Sequence, residues 1–355
     1  MTVRVGLVGC GFIGGVHAAA LGALIRAELV DATLSATYDP TPGRAAAFAA
    51  PHGAVACGSV AEVLDQVDAV WICTWTAAHR EIVAAAVDAD VAVFCEKPLA
   101  PTLAECEAVA ALLDRVPHQV GLVLRHAPVF AAAAEVVASG RFGRPLTTML
   151  RDDQYFPIQG MYGSDWRADV ARAGGGTLLE HSIHDVDVLR WILGDPSSVR
   201  ADVASMFGHP GIDDSAQVTF GYETGAIATL VSVWHQIMTR PSTRRLEIFC
   251  EDALLWTEDD HLGPLHIEHA TGTEVITGEL PAWVDGLGVP REHLAPLVQY
   301  AAPTKAFLDV LASDATPRGW PDAAVALAAH RLVDLAYRSS GSRSGGAQAA
   351  GPPAR

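Results

Sequence analysis

The sequence predicts an α/β chain in which a doubly wound parallel sheet precedes an α+β part with a large, mostly antiparallel open sheet. Over the first ~120 residues, short apolar strand-like runs alternate with helix-like runs, which is typical of a parallel sheet with covering helices. Beyond them, longer strand-like runs follow one another, and Glu223-Thr224-Gly225 supplies a short hairpin loop between two of them. We therefore expect two different sheets in succession.

Chain length and composition set the domain organisation. A chain of 355 residues, half of them hydrophobic, is long enough for about two domains with sizeable cores. We predict a first domain over residues 1–124, a second over residues 125–339, and a disordered tail over residues 340–355, where Gly, Ser, Ala and Pro dominate.

The charge balance and the cysteines exclude several classes of protein. A net charge of −17 argues against nucleic acid and anionic membranes as partners, since both require clustered Lys and Arg. The six cysteines show no close pairing, which favours reduced thiols in a cytoplasmic protein. Residues 5–25 carry no formal charge, a feature that signal peptides and membrane spans also have. However, this run contains six glycines in the spacing of a turn, which argues against both.

Individual elements follow from the periodicity. In the first part, apolar runs predict strands over residues 3–8, 32–38, 69–74, 91–95 and 120–124. Alanine-rich or amphipathic runs predict helices over residues 12–26, 42–50, 77–88 and 103–113. In the second part, strands are predicted over residues 146–153, 199–207, 216–222, 226–234 and 246–250. The remaining helices are predicted over residues 178–193, 302–312 and 322–339.

A glycine-rich turn predicts a dinucleotide site. Gly9-Cys10-Gly11-Phe12-Ile13-Gly14 is a G-x-G-x-x-G motif that follows a predicted strand and opens a predicted helix. Gly9 permits the tight turn, Gly11 lets the backbone approach a pyrophosphate, and Gly14 lets helix and strand pack closely. The helix N-terminus, with Phe12 and Ile13, offers N–H groups to the phosphates. These features together predict a Rossmann domain.

An acidic residue ends the second predicted strand. Asp39 lies where a carboxylate would bind the adenosine ribose hydroxyls and repel a 2′-phosphate, which favours NAD over NADP. Arg44 lies nearby and could accommodate a phosphate, so NADP stays open. Asp39 could alternatively serve only as a turn residue in Asp-Pro-Thr-Pro-Gly.

Further motifs resemble those of one enzyme family. The glycine motif continues to His17, Cys73-Thr74-Trp75-Thr76-Ala77-Ala78-His79 follows the third predicted strand, and Glu96-Lys97-Pro98 follows the next. Gly174-Gly175-Gly176 then leads into Glu180 and His184. Over residues 3–340 the chain resembles the Gfo/Idh/MocA oxidoreductases, the family of glucose–fructose oxidoreductase and inositol dehydrogenase.

The resemblance implies an activity and a set of cofactor contacts. It implies hydride transfer between nicotinamide and a secondary alcohol or ketone of a sugar, inositol or related polyol, by a homodimer or homotetramer. It also implies that the cofactor borders Thr74, Trp75, His79, Glu96 and Lys97. Helix packing is an equal explanation for His17 and His79. The chain departs from the family in having Trp75 and Thr76 in place of prolines, and Glu180 in place of an aspartate.

Lys97, His184 and Glu180 are the predicted catalytic residues. Lys97 follows a predicted parallel strand, where its ammonium could bind a substrate hydroxyl, although a solvated surface lysine is the alternative. His184 is the candidate general base, and Glu180 lies on the same helix face four residues earlier. Glu180 could orient either group, or it could close a capping box with Thr177.

The predicted substrate contacts are polar or aromatic residues in loops and at strand ends. With Lys97 and His184, they are Arg125, Tyr155, Trp166, Arg167 and His235. No metal is expected, because the acidic residues and histidines near His184 lack a firm ligand spacing. Two other functions remain open on the same fold, an NAD-using glycosidase and a non-catalytic NAD-binding regulator.

Overall fold

A computed structural model of the chain describes residues 2–313, 315–317 and 319–342. The predicted tail over residues 340–355 lies outside the described residues from residue 343 onward. Within the described residues, no helix combines the length and the apolarity that a membrane span requires. All six cysteines are free thiols with buried side chains, as the sequence predicts.

The first sheet has six parallel strands in the order β3-β2-β1-β4-β5-β6. Its strands are β1 (Val3–Val8), β2 (Ala32–Tyr38), β3 (Val55–Ala56), β4 (Ala69–Ile72), β5 (Ala92–Cys95) and β6 (His118–Val120). Its helices are α1 (Phe12–Arg26), α2 (Arg44–Ala49), α3 (Val60–Leu64), α4 (His79–Asp88) and α5 (Leu103–Leu113). Every residue of β4 and β5 is buried, because helices cover both faces of the sheet. The strand order reverses beside β1, where doubly wound sheets bind their ligands.

The second sheet has eight strands in the order β14-β13-β12-β11-β7-β10-β9-β8, and β7 pairs in parallel with β10. Its first four strands along the chain are β7 (Pro145–Tyr155), β8 (Ser198–Ala204), β9 (Ser215–Gly221) and β10 (Ile227–His235). The remaining strands are β11 (Thr243–Cys250), β12 (Ala253–Thr257), β13 (Leu265–His269) and β14 (Gly272–Ile276). Both the parallel sheet and the mostly antiparallel sheet confirm the predicted fold class.

Helices cover one face of the second sheet. Those that pack on it are α6 (Pro128–Ala138), α8 (Ile183–Leu193) and α10 (Ala323–Ser339). By contrast, α9 (Arg291–Ser313) packs on α1 of the first sheet, and α7 (Val170–Ala173) lies beside the segment after β4. Residues of β10 alternate between buried and more accessible positions, so Leu230 and Trp234 enter the core while Ile227 stays exposed. The core under this face includes Leu179, Ile183 and other apolar residues of α8 and its approach.

Three of the predicted elements differ most from the structure in their extent. The strand predicted over residues 120–124 ends at Val120, and a 3-10 turn follows at Val123–His126. This run is apolar because it is buried between elements, and burial alone does not distinguish a turn from a strand. The predicted domain boundary after residue 124 falls inside this turn and stays a prediction. The helix predicted from residue 178 begins as a π-type turn, Thr177–His181, before α8. The helix predicted over residues 302–312 is the end of α9, which runs through two prolines.

Gly14 allows α1 to pack against the turn after β1. A Cβ at Gly14 would lie 2.2 Å from the Gly9 carbonyl oxygen, whereas a Cβ at Gly15 would meet no atom within 4 Å. We expect Gly14→Ala to lower the free energy of unfolding by about 1–3 kcal/mol through overpacking. Gly15→Ala is the matched control, and it should leave stability unchanged or raise it, since alanine favours helix. Thermal unfolding of both variants decides this, and equal midpoints would contradict the close-packing role of Gly14.

Candidate active site

A cavity of about 480 Å³ lies at the carboxyl ends of the parallel strands, between the two sheets. On one side its wall consists of the glycine turn after β1 and the segments that follow β2, β4 and β5. On the other side it consists of the loop after β7, the π-type turn and the start of α8. Ligands of doubly wound sheets bind at this end.

The glycine turn has the shape that a pyrophosphate requires. Gly9 has a φ of +100°, and a Cβ there would lie 2.5 Å from the Cys73 carbonyl oxygen. A Cβ at Gly11 would meet no protein atom within 4 Å, so this backbone borders the open cavity. No side chain caps the first turn of α1, which leaves its N–H groups for phosphate oxygens. The turn therefore fits a dinucleotide.

Asp39 is fixed at the cavity wall by the backbone. Its side chain is buried, and its two carboxylate oxygens accept hydrogen bonds from the Cys10 N–H at 2.9 Å and the Thr41 N–H at 2.8 Å. Arg44 is half exposed, with its guanidinium 3.6 Å from the Asp39 carboxylate. Asp39 thus serves as a turn residue and also presents negative charge to the cavity.

Lys97 reaches across the cavity to the π-type turn that precedes α8 and His184. Its Nζ donates a hydrogen bond of 2.5 Å to the backbone carbonyl oxygen of Glu180. Burial lowers the pKa of Lys97 below its usual value, and the Glu180 carboxylate opposes that effect. The surface-lysine alternative is wrong, since Lys97 lines the cavity.

His184 lines the same cavity from the first turn of α8. Its Nδ1 is buried without a hydrogen-bond partner, which leaves Nε2 as the ring nitrogen available to a ligand. Burial, followed by the positive charge of Lys97, lowers the pKa of His184 well below its usual value. A neutral imidazole beside an ammonium is a suitable acid–base pair for an alcohol.

Glu180 joins the two sides of the cavity instead of capping a helix. Its carboxylate accepts a hydrogen bond of 2.5 Å from Thr76 Oγ1 and one of 3.3 Å from Arg167 Nε. Thr177 bonds Ser232, so the capping-box alternative is wrong. The departure at Thr76 thus supplies a hydroxyl that ties the segment after β4 to Glu180.

The structure brings most of the predicted site residues to this one cavity. The predicted residues that line it are Gly9, Gly11, Phe12, Ile13, Asp39, Arg44, Thr74, Trp75, Glu96, Lys97, Trp166, Arg167, Glu180 and His184. Gly14 and His79 lie behind the wall. Gly14 packs against Gly9, and buried His79 has its Nε2 3.4 Å from the Thr74 carbonyl oxygen, so both support cofactor-side segments from behind.

Three predicted substrate contacts do not line the cavity. Arg125 forms a two-point ion pair with Asp187, at 2.7 and 2.8 Å. The Tyr155 hydroxyl accepts a hydrogen bond from the Met161 N–H, and His235 lies 3.4 Å from an Asp153 carboxylate oxygen. These side chains were predicted as substrate contacts because they are polar and lie near strand ends. The direction in which each one points depends on partners that are distant in sequence. We leave them out of the proposed site.

Sequence reasoning missed several residues of the cavity wall. They are Gln154, Tyr162, His181, Trp234, Arg244, Asp260, Gln299 and Tyr300, among others. They come from β7, β10, β11 and α9, from the loops after β7 and β12, and from the π-type turn, and no motif connects these segments in sequence. For His17 the sequence left open a place near the cofactor or a role in helix packing. Its Nε2 lies 2.7 Å from a carboxylate oxygen of Glu96. The Glu96 carboxylate also accepts a hydrogen bond from the Lys97 N–H. Among the described residues, no three His, Cys, Asp or Glu side chains are grouped to hold a metal ion.

Comparison with known proteins identifies the family. The description "Oxidoreductase family, NAD-binding Rossmann fold" matches residues 3–123, and "GFO/IDH/MocA C-terminal domain" matches residues 130–255. Inositol 2-dehydrogenase of Rhizobium meliloti (strain 1021) is 31% identical over 357 aligned positions, covering 96% of this chain and 97% of that protein. The chain belongs to the Gfo/Idh/MocA oxidoreductases. The predicted family and the predicted NAD-binding Rossmann part are thereby confirmed.

Other Gfo/Idh/MocA relatives match in part or in fold. The 1,5-anhydro-D-fructose reductase of Ensifer adhaerens is 34% identical over 194 residues, 52% of this chain. The chain matches little more than half of that relative, 57% of its length. The crystal structure of an oxidoreductase domain protein from Kribbella flavida has a TM-score of 0.84 at 26% identity, covering 97% of this chain and 98% of that chain.

The Asp39 carboxylate should discriminate between the two nicotinamide cofactors. We expect Asp39→Ala to change the ratio of NADH to NADPH affinity at least about tenfold toward NADPH, because a like-charge contact with the 2′-phosphate is removed. Fluorescence titration with each reduced cofactor measures the ratio. Arg44→Ala in the Asp39→Ala background should reverse much of the gain for NADPH. An unchanged ratio in Asp39→Ala would contradict this role.

Proposed function

We propose that the chain oxidises a secondary alcohol of a sugar, inositol or related polyol with NAD, or reduces the matching ketone. The observation that carries the proposal is the convergence of the Lys97 ammonium and the His184 imidazole on one cavity that also contains the glycine turn. The names of the relatives support the substrate class, since one acts on inositol and another on an anhydro sugar.

The proposed roles follow from charge and position. Bound NAD would supply the hydride acceptor for the carbinol carbon. Lys97 donates a hydrogen bond to the substrate oxygen and stabilises the negative charge that develops on it. His184 accepts the hydroxyl proton at Nε2, since its Nδ1 is buried. Glu180 holds this arrangement together through its carbonyl oxygen and its carboxylate, and it is a positioning residue in this scheme.

The polyol itself would contact the aromatic and polar wall beyond Lys97. The guanidinium of Arg167 lies 4.3 Å from the centroid of the Trp166 ring, and both residues line the cavity. An apolar ring face beside fixed hydrogen-bond donors suits the alternating C–H and O–H groups of a polyol. We therefore keep Trp166 and Arg167 as proposed substrate contacts, together with Lys97 and His184.

We further propose that the protein is a cytoplasmic homodimer or homotetramer that associates through the open face of the second sheet. The strand register puts Met149, Ile227, Phe249 and Val275 on this face, and each side chain is at least 39% exposed. A row of exposed apolar residues on one sheet face is typical of an oligomer contact. Size-exclusion chromatography with light scattering tests this, and a monomer at micromolar concentration would refute it.

Loss of either reacting group should lower turnover strongly without unfolding the protein. We expect Lys97→Met and His184→Asn each to lower kcat by about 10²- to 10³-fold, because a donor or a base is removed from the transition state. NADH formation over a panel of sugars and inositols measures this. Lys305→Met is the matched control, since Lys305 is the other lysine of the chain and pairs with Asp309 on α9.

The same screen separates the alternative functions. A glycosidase would consume a glycoside without net formation of NADH, while a regulator would bind NAD and convert no substrate. NADH formation that is unaffected by Lys97→Met and His184→Asn would contradict the roles proposed for these residues.

The pH dependence of turnover should reflect both lowered pKa values. His184 must be neutral and Lys97 protonated, so kcat/KM for alcohol oxidation should be bell-shaped. Because burial lowers both pKa values, we expect the acid limb below pH 6.5 and the alkaline limb below pH 10.5. Rates measured across this range in constant ionic strength test the assignment. An acid limb above pH 6.5 would be incompatible with His184 as the base.

A further inference from the structure

A second imidazole lines the cavity close to His184 and has no role in the scheme above. His181 ends the π-type turn, three residues before His184, and its side chain is 16% exposed. Its Nε2 lies 3.0 and 2.9 Å from the two carboxylate oxygens of Asp152. This contact uses one ring nitrogen, and among the described residues Nδ1 has no hydrogen-bond partner.

Asp152 is held from behind by a buried network. Its carboxylate is fully buried in β7 and accepts a hydrogen bond of 2.9 Å from the Ser182 hydroxyl and one of 3.3 Å from Arg244. Arg244 in turn binds Asp185 at 2.7 Å and Asp260 at 2.8 Å. Such a network fixes the position of the carboxylate, and the carboxylate fixes the orientation of the His181 ring.

The contacts of His181 determine which ring nitrogen carries the proton. A bare Nε2 would point its lone pair at both carboxylate oxygens, which is unfavourable, so Nε2 carries the hydrogen and donates it to Asp152. Arg244 Nη2 lies 3.1 Å from the same nitrogen, but it has the Asp152 carboxylate as an acceptor. Nδ1 is therefore the acceptor, on a side chain that lines the cavity.

The surroundings also keep the ring uncharged. Burial, followed by the positive charge of Arg244, lowers the pKa of His181 well below its usual value. His181 and His184 are thus two neutral imidazoles on one cavity wall, and each offers one acceptor nitrogen to a ligand. A single carbinol can occupy only one of them.

We propose that His181, oriented by Asp152, binds a second hydroxyl of the substrate, next to the carbinol that His184 deprotonates. The inference rests on the proposed function and narrows its substrate class to polyols with neighbouring hydroxyls. His181 accepts a hydrogen bond and exchanges no proton with the substrate. It selects for the second hydroxyl, because an analogue without it leaves the Nδ1 acceptor desolvated and unpaired.

The tautomer can be measured without any substrate. Long-range ¹H–¹⁵N spectra report which ring nitrogen of a histidine carries the proton. They are recorded on histidine-labelled protein in complex with NADH, and comparison with His181→Asn assigns the His181 signals. We expect a neutral ring with Nε2–H and a bare Nδ1 at pH 7. A ring protonated on Nδ1, or on both nitrogens, would overturn the proposal even if the enzyme turned over no polyol of the panel.

The hydroxyl preference is tested by pairing substrates with variants. The probes are the most active polyol of the panel and its analogue that lacks the hydroxyl next to the oxidised carbinol. We expect His181→Phe to lower kcat/KM for the polyol by about tenfold to hundredfold and to leave the deoxy analogue nearly unchanged. His181→Asn should restore part of the preference, because its amide oxygen can replace Nδ1 as acceptor.

The controls separate this proposal from a structural role and from the proposed function. Equal losses for both substrates in His181→Phe would indicate damage to the fold and overturn the proposal. His52→Asn is the control variant, because His52 is exposed and lies outside the cavity, and it should change neither value. A wild-type enzyme that oxidises no polyol would refute the proposed function, and the tautomer measurement would still decide the orientation of His181.

Discussion

The hydrogen bond from Lys97 Nζ to the carbonyl oxygen of Glu180 is the contact on which the candidate site depends. It joins residues 83 positions apart, one at the end of a parallel strand and the other on the turn before α8. A buried ammonium needs an acceptor to offset its lost hydration, and here that acceptor belongs to the turn that leads into α8 and His184. The same hydrogen bond therefore stabilises the charge of Lys97 and sets the position of its ammonium beside His184.

The π-type turn that supplies this carbonyl is itself held from behind. The Asp213 carboxylate accepts hydrogen bonds from the Gly176 and Leu178 N–H groups and from the Tyr337 hydroxyl of α10. A Cβ at Gly176 would lie 1.8 Å from the Asp213 carbonyl oxygen, so the backbones approach too closely for any other residue. The position of His184 thus depends on a loop and a helix that never touch the cavity.

Buried charges of opposite sign are matched closely around the cavity. Arg244 is shared by Asp152, Asp185 and Asp260, and burial raises the pKa of Asp185 to about 7. Burial, followed by nearby positive charge, lowers the pKa of both His181 and His184 well below the usual value, and base chemistry and hydroxyl binding both require a neutral ring. A neutral cavity with fixed donors and acceptors suits an uncharged polyol better than an anion.

The sequence by itself determined the two kinds of sheet, although not strands β3, β12, β13 and β14, and it determined the glycine turn and Asp39, because each depends on local periodicity or on a short motif. The trio of Lys97, Glu180 and His184 was predicted from the family resemblance together with the helical spacing of Glu180 and His184. Only the tertiary structure decided where side chains point and what completes the wall. Arg125 was predicted as a substrate contact, but it pairs with Asp187. His181 was considered only as a metal ligand, and Tyr300 was not singled out, although both line the cavity. The physical reason is that a side chain's direction is set by partners from distant strands and helices, and a local pattern does not contain them.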